Sequence, residues 1–229
     1  MTTDRKIAIA VGVLFILATA AAVSQVSLRD SLTSQDYLVE VAADATQVTT
    51  AAILDLIMVG AIVAIPVVIF PILRRYSESL ARGYLAARIL EGVVLVTGTL
   101  SLLGLLALSR EVVAAGGLAN ATQSGTLGAA LKAACDNAGV IGGQIVFCFS
   151  ALILNYALYK GRIIPRPIAL WGLIGVPLTL ASGVLVLFRV VDESSTLQMA
   201  LILPLAVQEM VFALWLIARG FSRSALGSR

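Results

Sequence analysis

Six apolar stretches, each long enough to cross a bilayer, run through this chain, and the segments between them alternate between rich and poor in Lys and Arg. A spanning helix needs roughly 20 consecutive apolar residues. Lipid offers no hydrogen-bonding partner to the backbone, so each stretch has to satisfy its own N–H and C=O groups as a helix. Six such helices with their loops use nearly all of the 229 residues. The expected fold is therefore all-α, a bundle of six transmembrane helices forming a single domain over residues 1–229. Composition leaves no soluble alternative. Charged residues make up 13% of the chain and hydrophobic ones 59%, where a soluble domain carries about 25% charged residues.

The first span is expected at Ile7–Val26. Ala20-Ala21-Ala22 resembles a signal-peptidase site, so a cleaved signal peptide is an alternative for this span, although the apolar run outlasts a usual h-region. Ser27–Gln47 follows, where Tyr37, Leu38, Val41 and Ala45 recur at helical spacing. Thr33 is placed to cap the start, with Asp36 in the first turn. This pattern predicts a short amphipathic helix lying on the membrane surface between spans one and two. The second span, Val48–Leu73, ends near Pro66 and Pro71, and the third covers Leu80–Leu108. A Gly-rich loop, Ser109–Gly125, leads to a long fourth span, Thr126–Tyr159. The fifth, Ile168–Phe188, has a kink expected at Pro177, and the sixth is Leu197–Ala218.

Positive charge sets the orientation. Arg5, Lys6, Arg74, Arg75, Arg82, Lys160, Arg162, Arg166, Arg219, Arg223 and Arg229 collect at one side. Arg29, Arg110 and Arg189 fall at the other. Both termini are thus expected in the cytoplasm. The net charge of +3 reads as this orientation signal, so no nucleic-acid partner is expected. Histidine is absent, which removes the commonest metal ligand and neutral-pH base. Cys135 and Cys148 sit within one span as buried thiols. No metal and no cofactor are expected, and the bilayer is the expected partner. Aligning Glu91 with Glu209 suggests inverted three-span halves, although the neighbouring residues match poorly.

The informative residues are the charges carried into the spans. A charge at a span centre costs roughly 2.5–3.5 kcal/mol on insertion scales, so such groups need partners or protons. Depths counted at about 1.5 Å per residue suggest three tiers: Asp55 with Lys132, Asp136 with Glu209, and Arg88 with Glu91. Arg88 and Glu91 are three apart on one helix, and Lys132 and Asp136 four apart, so each pair shares a face. Four carboxylates against two cations leaves two without a countercharge. At least one of Asp136 and Glu209 is therefore expected to be protonated, or compensated by a bound cation or cationic ligand. Gly139 and Gly143 have GxxxG spacing on the broad face of Asp136 and are expected to abut another helix. Trp171 and Trp215, with Asn155, Tyr156 and Tyr159, are expected at the cytoplasmic interface.

Several short motifs stand in order along the chain: Asp36-Tyr37-Leu38, Arg88-x-x-Glu91, Pro165 followed by Trp171-Gly172-Leu173, and Pro204 to Glu209-Met210. Trp215-Leu216-Ile217 and Gly220-Phe221 complete the series. In these the chain resembles the bacterial membrane proteins grouped as domain of unknown function 4386, over nearly its whole length. The resemblance implies a six-span protein of the bacterial plasma membrane and brings no activity with it.

Two active roles and one passive role fit these residues. A binding or transport protein would use Arg88, Glu91, Asp136 and Glu209, with Asp55 and Lys132 as further candidates, to hold a proton, a cation or a small cationic amphiphile. As a transporter, six spans would favour a homodimer. An intramembrane enzyme would use Glu209 or Asp136 as a general acid on a lipophilic, isoprenoid-like substrate, as a cyclase or isomerase. A structural subunit would use the same acids only as interhelical hydrogen-bonding groups. Cavity shape discriminates: a large apolar pocket with one buried acid, a polar track open to both faces, or a closed bundle.

Overall fold

The computed structural model describes residues 2–116, 122–193 and 195–222, and every regular element among them is helical. Helix α1 is Thr3–Val26, followed by a 3-10 segment, Ser27–Thr33. The short α2 is Tyr37–Ala43, α3 is Ala45–Tyr76 and α4 is Glu78–Ala114. The fourth span is α5, Thr122–Val140, then a π-helical turn, Ile141–Val146, then α6, Phe147–Lys160. Helices α7, Arg166–Leu187, and α8, Thr196–Ala218, complete the chain. Six helices are long and apolar enough to cross a membrane. Their outward residues, among them Val13, Ile57, Val67, Leu90, Leu100 and Leu203, are apolar and exposed, as lipid-facing positions have to be.

The spans close into a ring. Helix α1 packs on α3, α3 on α4, α4 on α5 and α6, α6 on α7, α7 on α8, and α8 returns to α1. At the basic end this closure is tight. Arg5 donates to the carbonyls of Leu216 and Ile217, two of the C-terminal acceptors that a helix leaves unpaired. Phe15 meets Phe212 edge to face at 5.5 Å. A Cβ on Gly12 would come within 2.7 Å of the Ala213 carbonyl, so only glycine permits this crossing. Asp4 takes two hydrogen bonds from Arg75, at 2.8 and 3.0 Å.

Several expectations change in detail. Helix α3 continues through Pro66 and Pro71 to Tyr76, because packed neighbours offset the lost backbone bonds of a proline in a membrane helix. Helix α4 runs past Leu108 to Ala114, with Ser109 fully buried. Helix α2 forms, but Leu38 and Val41 are buried against Leu102, Leu105 and Leu106. Its apolar face therefore packs on the bundle. No side chain caps its start, and Thr33 belongs to the preceding 3-10 segment. Arg223 and Arg229, and part of the loop before α5, lie outside the described residues.

Candidate functional site

Three of the six candidate residues meet inside the ring. Arg88 Nη1 donates to both oxygens of Glu91, at 3.0 and 3.3 Å. Both side chains are almost completely buried, 3% and 2% exposed. The pairing follows from their spacing, since residues three apart lie on one side of a helix. Ser150 Oγ of α6 sits 3.1 Å from Glu91 Oε2 and brings a second span to the pair. Glu209 of α8 approaches from across the ring, its Oε1 3.6 Å from Arg88 Nη2. That separation makes an ion pair but exceeds a hydrogen bond, and Arg88 Nη2 has no hydrogen-bond partner.

Aromatic rings surround the guanidinium. Its carbon lies 5.9 Å from the Phe15 centroid, 5.5 Å from Tyr84 and 5.2 Å from Phe147, within cation–π range. Tyr84 also accepts a hydrogen bond from Arg88 Nε at 3.3 Å. The charge is thus held from below by Tyr84, from the side by Glu91, and from across the ring by Glu209.

Above this group lies a cavity of about 320 Å³ lined by residues of all six spans. It begins at Phe15, Ile65, Arg88 and Glu209 and continues past Ile62, Leu95, Leu205 and Thr179 to Gln25. Ten residues of α1 separate Phe15 from Gln25, about 15 Å at the usual helical rise. The walls are mostly apolar. Beneath the charged group, toward the basic end, Phe15, Ile65, Ile69, Tyr84, Leu154 and Phe212 form part of one packed cluster. The cavity therefore has a charged floor with packed apolar side chains beneath it.

Gly139 and Gly143 line this cavity, and a Cβ on either would meet nothing within 4 Å. The expected helix contact is instead made by Gly142, where a Cβ would come within 3.0 Å of Leu95. A π-helical turn, Ile141–Val146, begins between the two glycines: Gly143 lies within it, whereas Gly139 faces the cavity from the regular helix α5. Such turns often occur where a helix is shaped around a function.

The remaining candidates lie elsewhere. Lys132 Nζ bonds Asp136 Oδ2 at 2.8 Å, with side chains 32% and 40% exposed, so Asp136 is not the partner of Glu209. Asp55 pairs with Arg29 of the 3-10 segment and accepts from Thr99 Oγ1 at 3.2 Å, so Lys132 is not its partner. Arg29 was placed outside the spans by counting, yet a cation next to the end of α1 was the available signal for Asp55. Asn155 is not at an interface: it is 3% exposed and accepts from Gln208 Nε2 at 3.2 Å. A Cβ on Gly172 would fall 2.2 Å from Asn155 Oδ1, which explains the glycine of the Trp171-Gly172 motif.

With Arg29 included, four carboxylates (Asp55, Glu91, Asp136, Glu209) face three cations (Arg29, Arg88, Lys132) in the described ion pairs. The surplus negative charge therefore belongs to the Arg88, Glu91 and Glu209 group.

The model of the family described as domain of unknown function DUF4386 matches residues 10–220. The chain is a DUF4386 protein. The match covers every span and all three residues of the buried group. No curated protein and no solved structure matches this DUF4386 chain.

Proposed function

We propose that this DUF4386 protein binds a small amphipathic molecule in the cavity, with a cationic head against Glu209 and an apolar body along α1, α3 and α8. The observation that carries this reading is the surplus carboxylate on the floor of a mostly apolar cavity. Glu91 is engaged by Arg88 and Ser150, whereas Glu209 reaches the cavity with its side chain 20% exposed. A buried charge without a full partner is costly, and a bound cation removes that cost. About 320 Å³ lies at the lower end of the range for ligand pockets.

An intramembrane enzyme acting on an isoprenoid-like molecule, with Glu209 as general acid, is the second reading. The mostly apolar wall favours it. The guanidinium 3.6 Å away weighs against it, because it makes Glu209 an ion-pair partner. A purely structural subunit is the third reading, and the cavity lined by every span is what favours a ligand over it.

Orientation and compartment belong to the same proposal. The basic end faces the cytoplasm of a bacterial plasma membrane, with both termini inside, by the distribution of Arg and Lys. An impermeant thiol reagent added to intact cells should label Asp192→Cys and spare Arg162→Cys, and the opposite pattern would invert the topology.

The functional test is mass spectrometry of small molecules and lipids carried by purified protein, followed by titration of whatever is found. The parent should carry a cationic amphiphile. Glu209→Gln, which keeps the side-chain shape, should fold normally and lose it. A parent that carries none, and whose melting does not respond to added cationic amphiphiles, would overturn the reading.

A further inference from the structure

The floor of the cavity makes two different demands on one head group. Glu209 brings the surplus negative charge. Arg88 Nη2, on a residue 3% exposed, is a buried donor that faces Glu209 Oε1 at 3.6 Å, longer than a hydrogen bond. Buried donors are rarely left in that state, and this one belongs to a residue that lines the cavity. A simple ammonium would answer the first demand and leave the second unmet, because it has no acceptor. A simple alcohol would answer the second and leave the charge. The Nη2 to Oε1 separation of 3.6 Å requires the two answering atoms to be near neighbours in the ligand.

We infer that the head group is an amino alcohol, with a cationic nitrogen on Glu209 and an oxygen acceptor on the adjacent carbon that takes the hydrogen bond from Arg88 Nη2. This rests on the proposed binding function and narrows its substrate class to single-chain amphiphiles with neighbouring nitrogen and oxygen. The roughly 15 Å of mostly apolar wall above takes the chain, and Glu91, with both oxygens held by Arg88 Nη1, is committed to that ion pair.

The test uses the full chain in lipid nanodiscs and four probes of equal chain length: a 2-amino-1-alkanol, a primary alkylamine, an alkanol and an alkyltrimethylammonium. Affinities are read from ligand-dependent melting at equal mole fraction in the membrane. The amino alcohol should bind about tenfold more tightly than the amine, the scale of one hydrogen bond to a charged donor. Glu209→Gln should weaken the amino alcohol and the amine and leave the alkanol unchanged. Equal binding of amine and amino alcohol would overturn the amino-alcohol assignment while leaving the cationic site standing. Binding by none of the four would overturn the site itself, and the head-group assignment with it.

Discussion

The two halves of the ring are built on opposite plans. Toward the basic end, α1 and α8 cross with backbone almost touching at Gly12 and Ala213. A continuous packed cluster there joins α1, α3, α4, α6, α7 and α8. Toward the other end, the same helices flank a cavity, and the buried residues break into smaller groups. Arg88, Glu91 and Glu209 mark the boundary. In lipid, apolar burial alone does not favour one plan over the other, since the tails are as apolar as the side chains. Close packing and polar pairing hold the solid half, and the hollow half is free to be shaped for something else.

Removing the boundary should do the most damage. Arg88→Met leaves Glu91 as an unpaired buried charge and should lower stability by about 3–5 kcal/mol. Arg88→Met with Glu91→Met should recover most of it. Denaturation in mixed micelles reads both, and a mild single variant would mean that water reaches the group from below.

Matched truncations then compare the halves directly. Ile69→Ala in the solid half, where Ile69 is fully buried, should cost about 3 kcal/mol. Ile202→Ala on the cavity wall should cost less than about 1 kcal/mol, because few contacts are lost where a wall already faces space. Equal losses in the same assay would erase the contrast.

Glycines sharpen it further. Gly172→Ala drives a methyl into Asn155 and should cost about 1–3 kcal/mol. Gly139→Ala and Gly143→Ala project into the cavity and should melt within about 0.5 kcal/mol of the parent, while Gly143→Leu should narrow the cavity and reduce ligand uptake. If the cavity glycines prove as sensitive as Gly172, α5 is packed where the structure leaves it open.

The most local effect is expected at the rim. Asp55→Asn removes the ion pair with the partly exposed Arg29 and should cost about 1 kcal/mol. Its signature is local: faster hydrogen exchange across residues 27–33, with the solid half unchanged.

What was readable from sequence divides along physical lines. Span number, and the pairs Arg88 with Glu91 and Lys132 with Asp136, follow from hydropathy and helical spacing, which are local. Glu209 was legible as a site candidate but not its partner, because helix order around a ring is not written in spacing. Arg29 escaped because its side chain crosses from a connecting segment to α3. Asn155 reads as an interfacial residue in sequence, but the packing of both α6 and α8 against α7 brings it to Gln208. The glycines were assigned the wrong neighbours because a GxxxG spacing does not say whether the face it marks meets a helix or a cavity.

The π-helical turn in the fourth span works like an offset between two halves of a camshaft. One α-helical residue turns the axis by about 100°, so the turn at Ile141–Val146 sets Gly139 at one angle and Ser150 at another that neither half could choose alone. Above the offset, the shaft presents bare backbone to the cavity. Below it, a hydroxyl reaches Glu91. Deleting a single residue between positions 141 and 146 would restore a regular helix and bring the two halves into one timing. Either Gly139 would turn away from the cavity or Ser150 would turn away from Glu91.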